Sequence, residues 1–262
     1  MRRAALMTVV AAFIPLLFST PASAAAAPVM QLHGGGHFQG AGQPLVEAFT
    51  AKTGISAAYV PGNTGGGAFE ERLKAGAQID VIVLNSDDME RRIAAGAPIR
   101  PGSDVVFAED GYGLATLKSR PMPDISTREK LGQVLLSAKA VGRRAPDDGN
   151  SGRIAQQFLT DLGIARQMQG EKSVYIENAT AELEAGRVDF VIWSYTEILR
   201  NDKLRGAAMP RELGGYVTQA IAIPANAKRV AEAEAFIDFI TGPDAAPILK
   251  RWGMEQVPAR QN

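Results

Sequence analysis

Val81-Ile82-Val83-Leu84 is an unbroken apolar run, without the alternation of a half-exposed strand. It reads as a strand buried on both faces, as in a sheet flanked by helices. Ser86 opens a helical pattern directly after it, through Ala94 and Ala95 to a stop at Gly96. Toward the N-terminus the same grammar repeats. Val29 to Leu32 reads as a strand, and Leu45 to Thr53 as a helix closed by Gly54. Ile55 to Val60 is again a strand, with Phe69 to Ala75 a helix closed by Gly76. Three such strand–helix units make a first lobe of an α/β fold with mainly parallel sheet.

Toward the C-terminus the character changes at Pro101-Gly102. Val105 to Phe107 and Tyr112 to Thr116 read as strands of a crossover around Gly111 and Gly113. Ser126-x-x-Glu129 has the spacing of a capping box and predicts a helix to Ala138. A short strand at Ala140 to Gly142, a helix from Ser151 to Leu162 and a strand at Lys172 to Ile176 follow. A helix from Asn178 to Ala185 and a buried strand at Phe190 to Trp193 complete a second lobe. Tyr216 to Ile223 reads as the return strand, followed by helices at Val230 to Ile240 and from Thr241 through Arg251. The predicted organisation is residues 25–108 and 214–262 as lobe I and 109–213 as lobe II. The cleft is expected at the carboxyl ends of the strands.

Met1-Arg2-Arg3, an apolar stretch from Ala4 to Phe18 and Ala22-Ser23-Ala24 have the layout of a secretory signal, so residues 1–24 are expected to be removed. Pro15 and the shortness of the run argue against a membrane anchor. The chain contains no cysteine, which excludes disulfides, thiolate metal sites and a cysteine nucleophile or lipid anchor. Its 28 basic and 28 acidic residues balance, and loss of Arg2 and Arg3 leaves a slight acidic excess. With no basic block, nucleic acid is not an expected partner.

Three glycine-rich turns precede predicted helices: Gly34-Gly35-Gly36-His37, Pro61-Gly62-Asn63-Thr64-Gly65-Gly66-Gly67 and Asp147-Asp148-Gly149-Asn150-Ser151-Gly152. Such turns expose unpaired N–H groups at the positive end of a helix dipole, which suits an anion. The first is not a dinucleotide fingerprint, because Gln39 stands where its last glycine belongs. The second lacks the Lys-Ser/Thr of a P-loop. Tight turns without a ligand are the plain alternative for each. His33 and His37 are the only histidines, too few and wrongly placed for a zinc site. His33 is expected to be structural, and His37 to donate to an anion. Asp147 and Asp148 read as turn and capping residues rather than as acid/base groups. Arg143 and Arg144 either lend charge to this turn or are simply solvated. Trp193 and Tyr195 follow a buried strand and are placed on the cleft wall, although core packing is as good an account of Trp193. Asn178 and Ala179 open a helix facing the same cleft.

Together these residues resemble the periplasmic molybdate-binding proteins of ABC importers and their divergent molybdate-type solute-binding relatives. The motifs are Leu45-x-x-Ala48-Phe49-x-x-Lys52-Thr53-Gly54-Ile55, Ala75-Gly76-x-x-Ile79-Asp80-Val81, Gly149-x-Ser151-Gly152 leading to Leu162-Gly163-Ile164, and Ala233-x-x-Phe236-Ile237-x-x-Ile240 leading to Trp252-Gly253-Met254. The resemblance implies a two-lobed type II periplasmic binding fold that closes on its ligand and docks on a membrane permease. It places the anion-holding roles at His37, Gly67, Ser151, Ala179 and Trp193. Where the family has two hydroxyls and a tyrosine, this chain has His37, Gly67 and Trp193. The expected function is capture of a small anion, an oxyanion such as molybdate or tungstate or a small organic acid. The site comprises Gly36, His37, Gly67, Ser151, Asn178, Ala179, Trp193 and Tyr195. No cofactor, metal or catalysis is expected of a monomeric periplasmic protein of this kind. The rivals are a periplasmic enzyme using His37 with Asp147 or Asp148, and a binding module that feeds a sensor.

Overall fold

The computed structural model describes residues 29–62 and 67–261 of the chain. The signal read at residues 1–24 and the Asn63–Gly66 part of the second turn lie outside the described residues. The first lobe opens with β1 (Met30–Gly34), α1 (Gln39–Thr53), β2 (Ala57–Pro61), α2 (Ala68–Lys74), β3 (Val81–Asn85), α3 (Ser86–Ala94) and β4 (Val105–Asp110). Then follow β5 (Tyr112–Leu117), α4 (Arg128–Ser137), β6 (Val141–Arg143), α5 (Gly149–Asp161), β7 (Ser173–Tyr175), α6 (Ala179–Glu184), β8 (Phe190–Ser194), α7 (Tyr195–Arg200) and β9 (Leu204–Ala208). The chain ends in β10 (Val217–Ala222), α8 (Val230–Thr241), α9 (Ala246–Arg251) and β11 (Met254–Gln261).

Two sheets result, in the orders β11-β4-β10-β3-β1-β2 and β7-β6-β8-β5-β9. The α/β reading holds, but the sheets are mixed rather than mainly parallel. β1 runs parallel to β2 and β3, and β6 parallel to β7 and β8. The strands that cross between sheets pair antiparallel, β10 with β3 and β4 and β5 with β8 and β9. They enter each sheet from the neighbouring lobe rather than over a helix, so nothing forces the parallel direction. The chain leaves the first sheet through Gly111 alone and returns through residues 209–216.

The run at Val81–Leu84 is the central strand it reads as, each residue 4 % exposed or less. It is anchored by Asp80, fully buried, whose carboxylate accepts from the backbone N–H groups of Gln31 (2.9 Å), Lys228 (3.0 Å) and Arg229 (3.2 Å). One side chain thus ties β3 to β1 and to the segment before α8, and its charge is met by oriented donors. Over this sheet Phe49 of α1 meets Phe236 and Phe239 of α8 at centroid distances of 5.1 and 5.7 Å. Trp252 lies against Gly40 in the first turn of α1, where an added Cβ would come within 2.6 Å of the indole.

Several boundaries differ from expectation. α1 begins at Gln39 and carries Pro44 inside it, instead of starting at Leu45. Pro44, in the second turn, forgoes the N–H that would bond to the Gly40 carbonyl, and Phe38, fully buried beside Tyr59 and Phe107, pins the earlier entry. α4 is capped by Thr127, not Ser126: the Thr127 hydroxyl accepts from Lys130 N at 3.3 Å, while Ser126 N–H is held by Asp124. Thr127→Ala should cost about 1 kcal/mol of stability in chemical denaturation, and an unchanged midpoint would contradict this cap. α7, β9 and β11 carry no clear periodic signal. β9, Leu-Arg-Gly-Ala-Ala, is an edge strand without β-branched residues.

Candidate ligand site

β1 ends at Gly34, and Gly36, at φ +53°, turns the chain into a short 3-10 segment that delivers His37 to the mouth of α1. His37 does not stand free there. Its Nδ1 is paired with Asp110 at the end of β4, whose side chain is fully buried and also accepts from Gln219 Nε2 at 2.8 Å. Burial opposes protonation of the imidazole. The charge and hydrogen bond of Asp110, with Glu197 behind them, outweigh it and raise the His37 pKa above its ordinary value. The ring stands edge-on to Tyr112, centroids 5.9 Å apart. Tyr112 in turn shares a 2.8 Å hydrogen bond with the Ser151 hydroxyl, and burial pushes its phenol up to about 12. A chain of contacts therefore runs from Gln219 through Asp110, His37 and Tyr112 to Ser151, joining the starts of α1 and α5.

Ser151 sits in the first turn of α5, whose leading amides have no intrahelical partner. Gly152 fixes where that turn lies: a Cβ there would be 1.7 Å from the Ala145 carbonyl oxygen. Asp148 occupies the cap position without making the expected capping bond, its carboxylate being drawn to Arg144 Nη1 at 3.0 Å. Neither Asp147 nor Asp148 reaches His37, so the acid/base pairing considered for them falls to Asp110. His33 is structural as expected, 4 % exposed, with Nε2 at 3.1 Å from the Gln78 carbonyl.

Arg143 and Arg144 part company. Arg143 is 3 % exposed and bonds inward to Ser173 Oγ (3.1 Å) and Gln156 Oε1 (2.9 Å), neither lending charge to the turn nor standing in solvent. Arg144 pairs with Asp148 and Glu177, its guanidinium 5.2 Å from the Trp193 ring centroid.

Asn178, Ala179 and Trp193 line one cavity of about 420 Å³ together with Glu197, Arg200 and Asn201 of and after α7. The Asn178 side chain caps α6 by accepting from Ala181 N at 3.0 Å. Arg200 reaches from α7 to the Gln39 side chain at the start of α1, bridging the lobes. Tyr195 does not share the Trp193 wall. It is the first residue of α7, and the change from strand to helix turns it into a separate cavity of about 220 Å³ beside Asp110, Gly111, Met209 and Tyr216. Its backbone N–H donates to the Gly111 carbonyl at 3.0 Å, so it braces the crossover. Gly67, left-handed at φ +90°, starts the seven-residue α2 and is not a wall of the Trp193 cavity.

Asp110, Tyr112, Glu197 and Arg200 carry no recognisable local signal. The spacing of Glu197, Arg200 and Asn201 is that of one helix face, but so short a helix is hard to read. Among the described residues no group of three or more His, Asp or Glu is arranged to hold a metal ion. No described helix is long and apolar enough to cross a membrane.

Two α/β lobes joined by crossing strands around a polar cleft define the two-lobed periplasmic binding fold. The pattern of the bacterial extracellular solute-binding proteins matches residues 31–255, and the chain belongs to that family. It is a divergent member similar to molybdate-binding proteins. The molybdate-binding protein ModA of Azotobacter vinelandii is 23 % identical over 240 residues, 88 % of this chain and 92 % of that one. Among solved structures, the substrate-binding domain of a putative molybdenum ABC transporter from Clostridium difficile superposes with a TM-score of 0.70 at 14 % identity, over 87 % of this chain and 98 % of that one. PEB3 of Campylobacter jejuni, solved with L-phospholactate bound, gives 0.63 at 14 % identity, over 87 % and 100 %.

Proposed function

We propose that the protein captures a small anionic solute between its lobes and presents it to the membrane permease of an ABC importer. It acts as a monomer in the periplasm and performs no chemistry. The observation that supports this most is the pairing of His37 with Asp110 and of Ser151 with Tyr112 at the starts of two long helices, α1 and α5. Protonated His37, the Ser151 hydroxyl and the first-turn amides around Gly36 and Ser151 then offer donors from two elements to one anion. Ala179, Asn178 and Trp193 supply the second-lobe wall, and Gly67 a further backbone donor. Closure excludes water and strengthens each bond. The ligands of these relatives, molybdate and L-phospholactate, are both anions.

An acid/base pair in a cleft also favours an enzyme as the second reading. Asp110 favours the protonated form of His37, which works against a role as base, and the Ser151 hydroxyl is bonded to Tyr112 rather than to the imidazole. A thermal-shift screen of molybdate, tungstate, sulfate and small carboxylates decides between them. A ligand at a hundredfold over its Kd should add about 2.7 kcal/mol of stability. Ser151→Ala should weaken that ligand roughly tenfold or more, the worth of a hydrogen bond to a charged group. Absence of any shift across the screen, or conversion of a probe to product, would overturn capture without chemistry.

A further inference from the structure

We infer that Glu197 selects the ligand by holding a protonated amine beside the ligand's anionic group, so the solute is an amino-bearing organic acid rather than a bare tetrahedral oxyanion. The inference rests on the cleft reading above and adds the substrate class. Glu197 is half-buried and lines the cavity with Asn178, Ala179 and Trp193. It shares the cavity face of α7 with Arg200 and Asn201, whereas Tyr195, Ile198 and Leu199 pack the other way, against Gly113 and Gly253.

The neighbouring groups are already engaged. Glu177 pairs with Arg144 and Asp110 with His37 and Gln219, while Arg200 donates a hydrogen bond to the neutral Gln39 amide. The Glu197 side chain makes no hydrogen bond or ion pair among the described residues. A half-buried carboxylate without a partner repels a dianion and attracts a cation. Arg144 already covers the Trp193 ring, so a cationic group on the ligand is left to Glu197. α7 packs against the 3-10 segment that carries His37 and reaches Gln39 at the start of α1 through Arg200, which brings the helix of Glu197 beside the anion-holding residues. The volume agrees: about 420 Å³ lies within the roughly 300–1,000 Å³ of small-molecule sites. An ion of four oxygens would leave most of that space to water.

Calorimetry on the mature chain tests this, with ω-amino carboxylates of different lengths, the unsubstituted and hydroxy carboxylates of the same lengths, and molybdate as probes. The best-fitting amino acid should bind at least tenfold tighter than its unsubstituted match. Glu197→Gln, nearly isosteric and checked for an unchanged melt without ligand, should abolish that ratio and bind the unsubstituted acid more tightly. Molybdate or an unsubstituted or hydroxy acid binding the wild type as tightly as any amine overturns the inference, as does a ratio that survives in Glu197→Gln. Either result leaves anion capture standing. If no probe binds the wild type, the capture reading itself fails.

Discussion

Gly152→Ala is expected to be the most damaging single-methyl change in the chain. The added Cβ would lie 1.7 Å from the Ala145 oxygen and 2.7 Å from its carbon. Those are backbone atoms, and the same carbonyl already accepts from Asp148 N at 2.9 Å, so no side chain can rotate away. The first turn of α5 must move off residues 145–146 and take Ser151 with it. Overpacking of this kind costs about 1–3 kcal/mol, more where the backbone cannot give. A domain of this size loses roughly 2–4 °C of Tm per kcal/mol. Ligand affinity should fall further than stability, because the Tyr112–Ser151 bond is broken as well. A Gly152→Ala protein with native Tm and native binding would show that the turn yields freely.

The second large effect is at His37. Removing the imidazole leaves the Asp110 carboxylate fully buried with Gln219 as its remaining partner. Breaking a buried pair in this way costs about 3–5 kcal/mol, so His37→Ala should melt on the order of 10 °C lower. The pH dependence has a definite sign. The folded pKa of His37 is raised above the unfolded value of about 6.5. Its contribution is therefore fully present below that pH and is lost as pH rises through the folded pKa. Wild-type stability should decline over that window, and His37→Ala should lose this part of the decline. Asp110→Asn keeps the shape and removes the charge that holds the proton, so anion binding near neutral pH should weaken. Superimposable pH profiles for wild type and His37→Ala would refute the pair.

What was readable beforehand follows from the range of each interaction. The Val81–Leu84 strand and the helices after the glycine turns depend on neighbours a few residues away, and periodicity reports them. So does the end of each strand, which put His37 and Ser151 at helix mouths. The partner of His37 lies 73 residues distant on a crossing strand, and no local pattern announces it. Asp147 and Asp148 read as turn and capping residues and entered only the rival enzyme reading, as partners for His37. Tyr195 was misplaced for a geometric reason: two residues after Trp193 is the same face of a strand, but not once the strand has become α7. Glu197 was invisible because its meaning is the absence of a partner, which only the packed cleft reveals.

The position of Trp252 beside Gly40 bears on how the cleft can be watched. The chain has two tryptophans, Trp193 and Trp252. One forms a wall of the cavity in the second lobe. The other packs under the first turn of α1 in the first lobe, its indole Nε1 buried without a hydrogen-bond partner among the described residues. Each indole thus borders an element of the proposed ligand site. Excited selectively over the five tyrosines, they give the unlabelled protein its own optical gauge, and replacing either indole assigns the signal to one lobe.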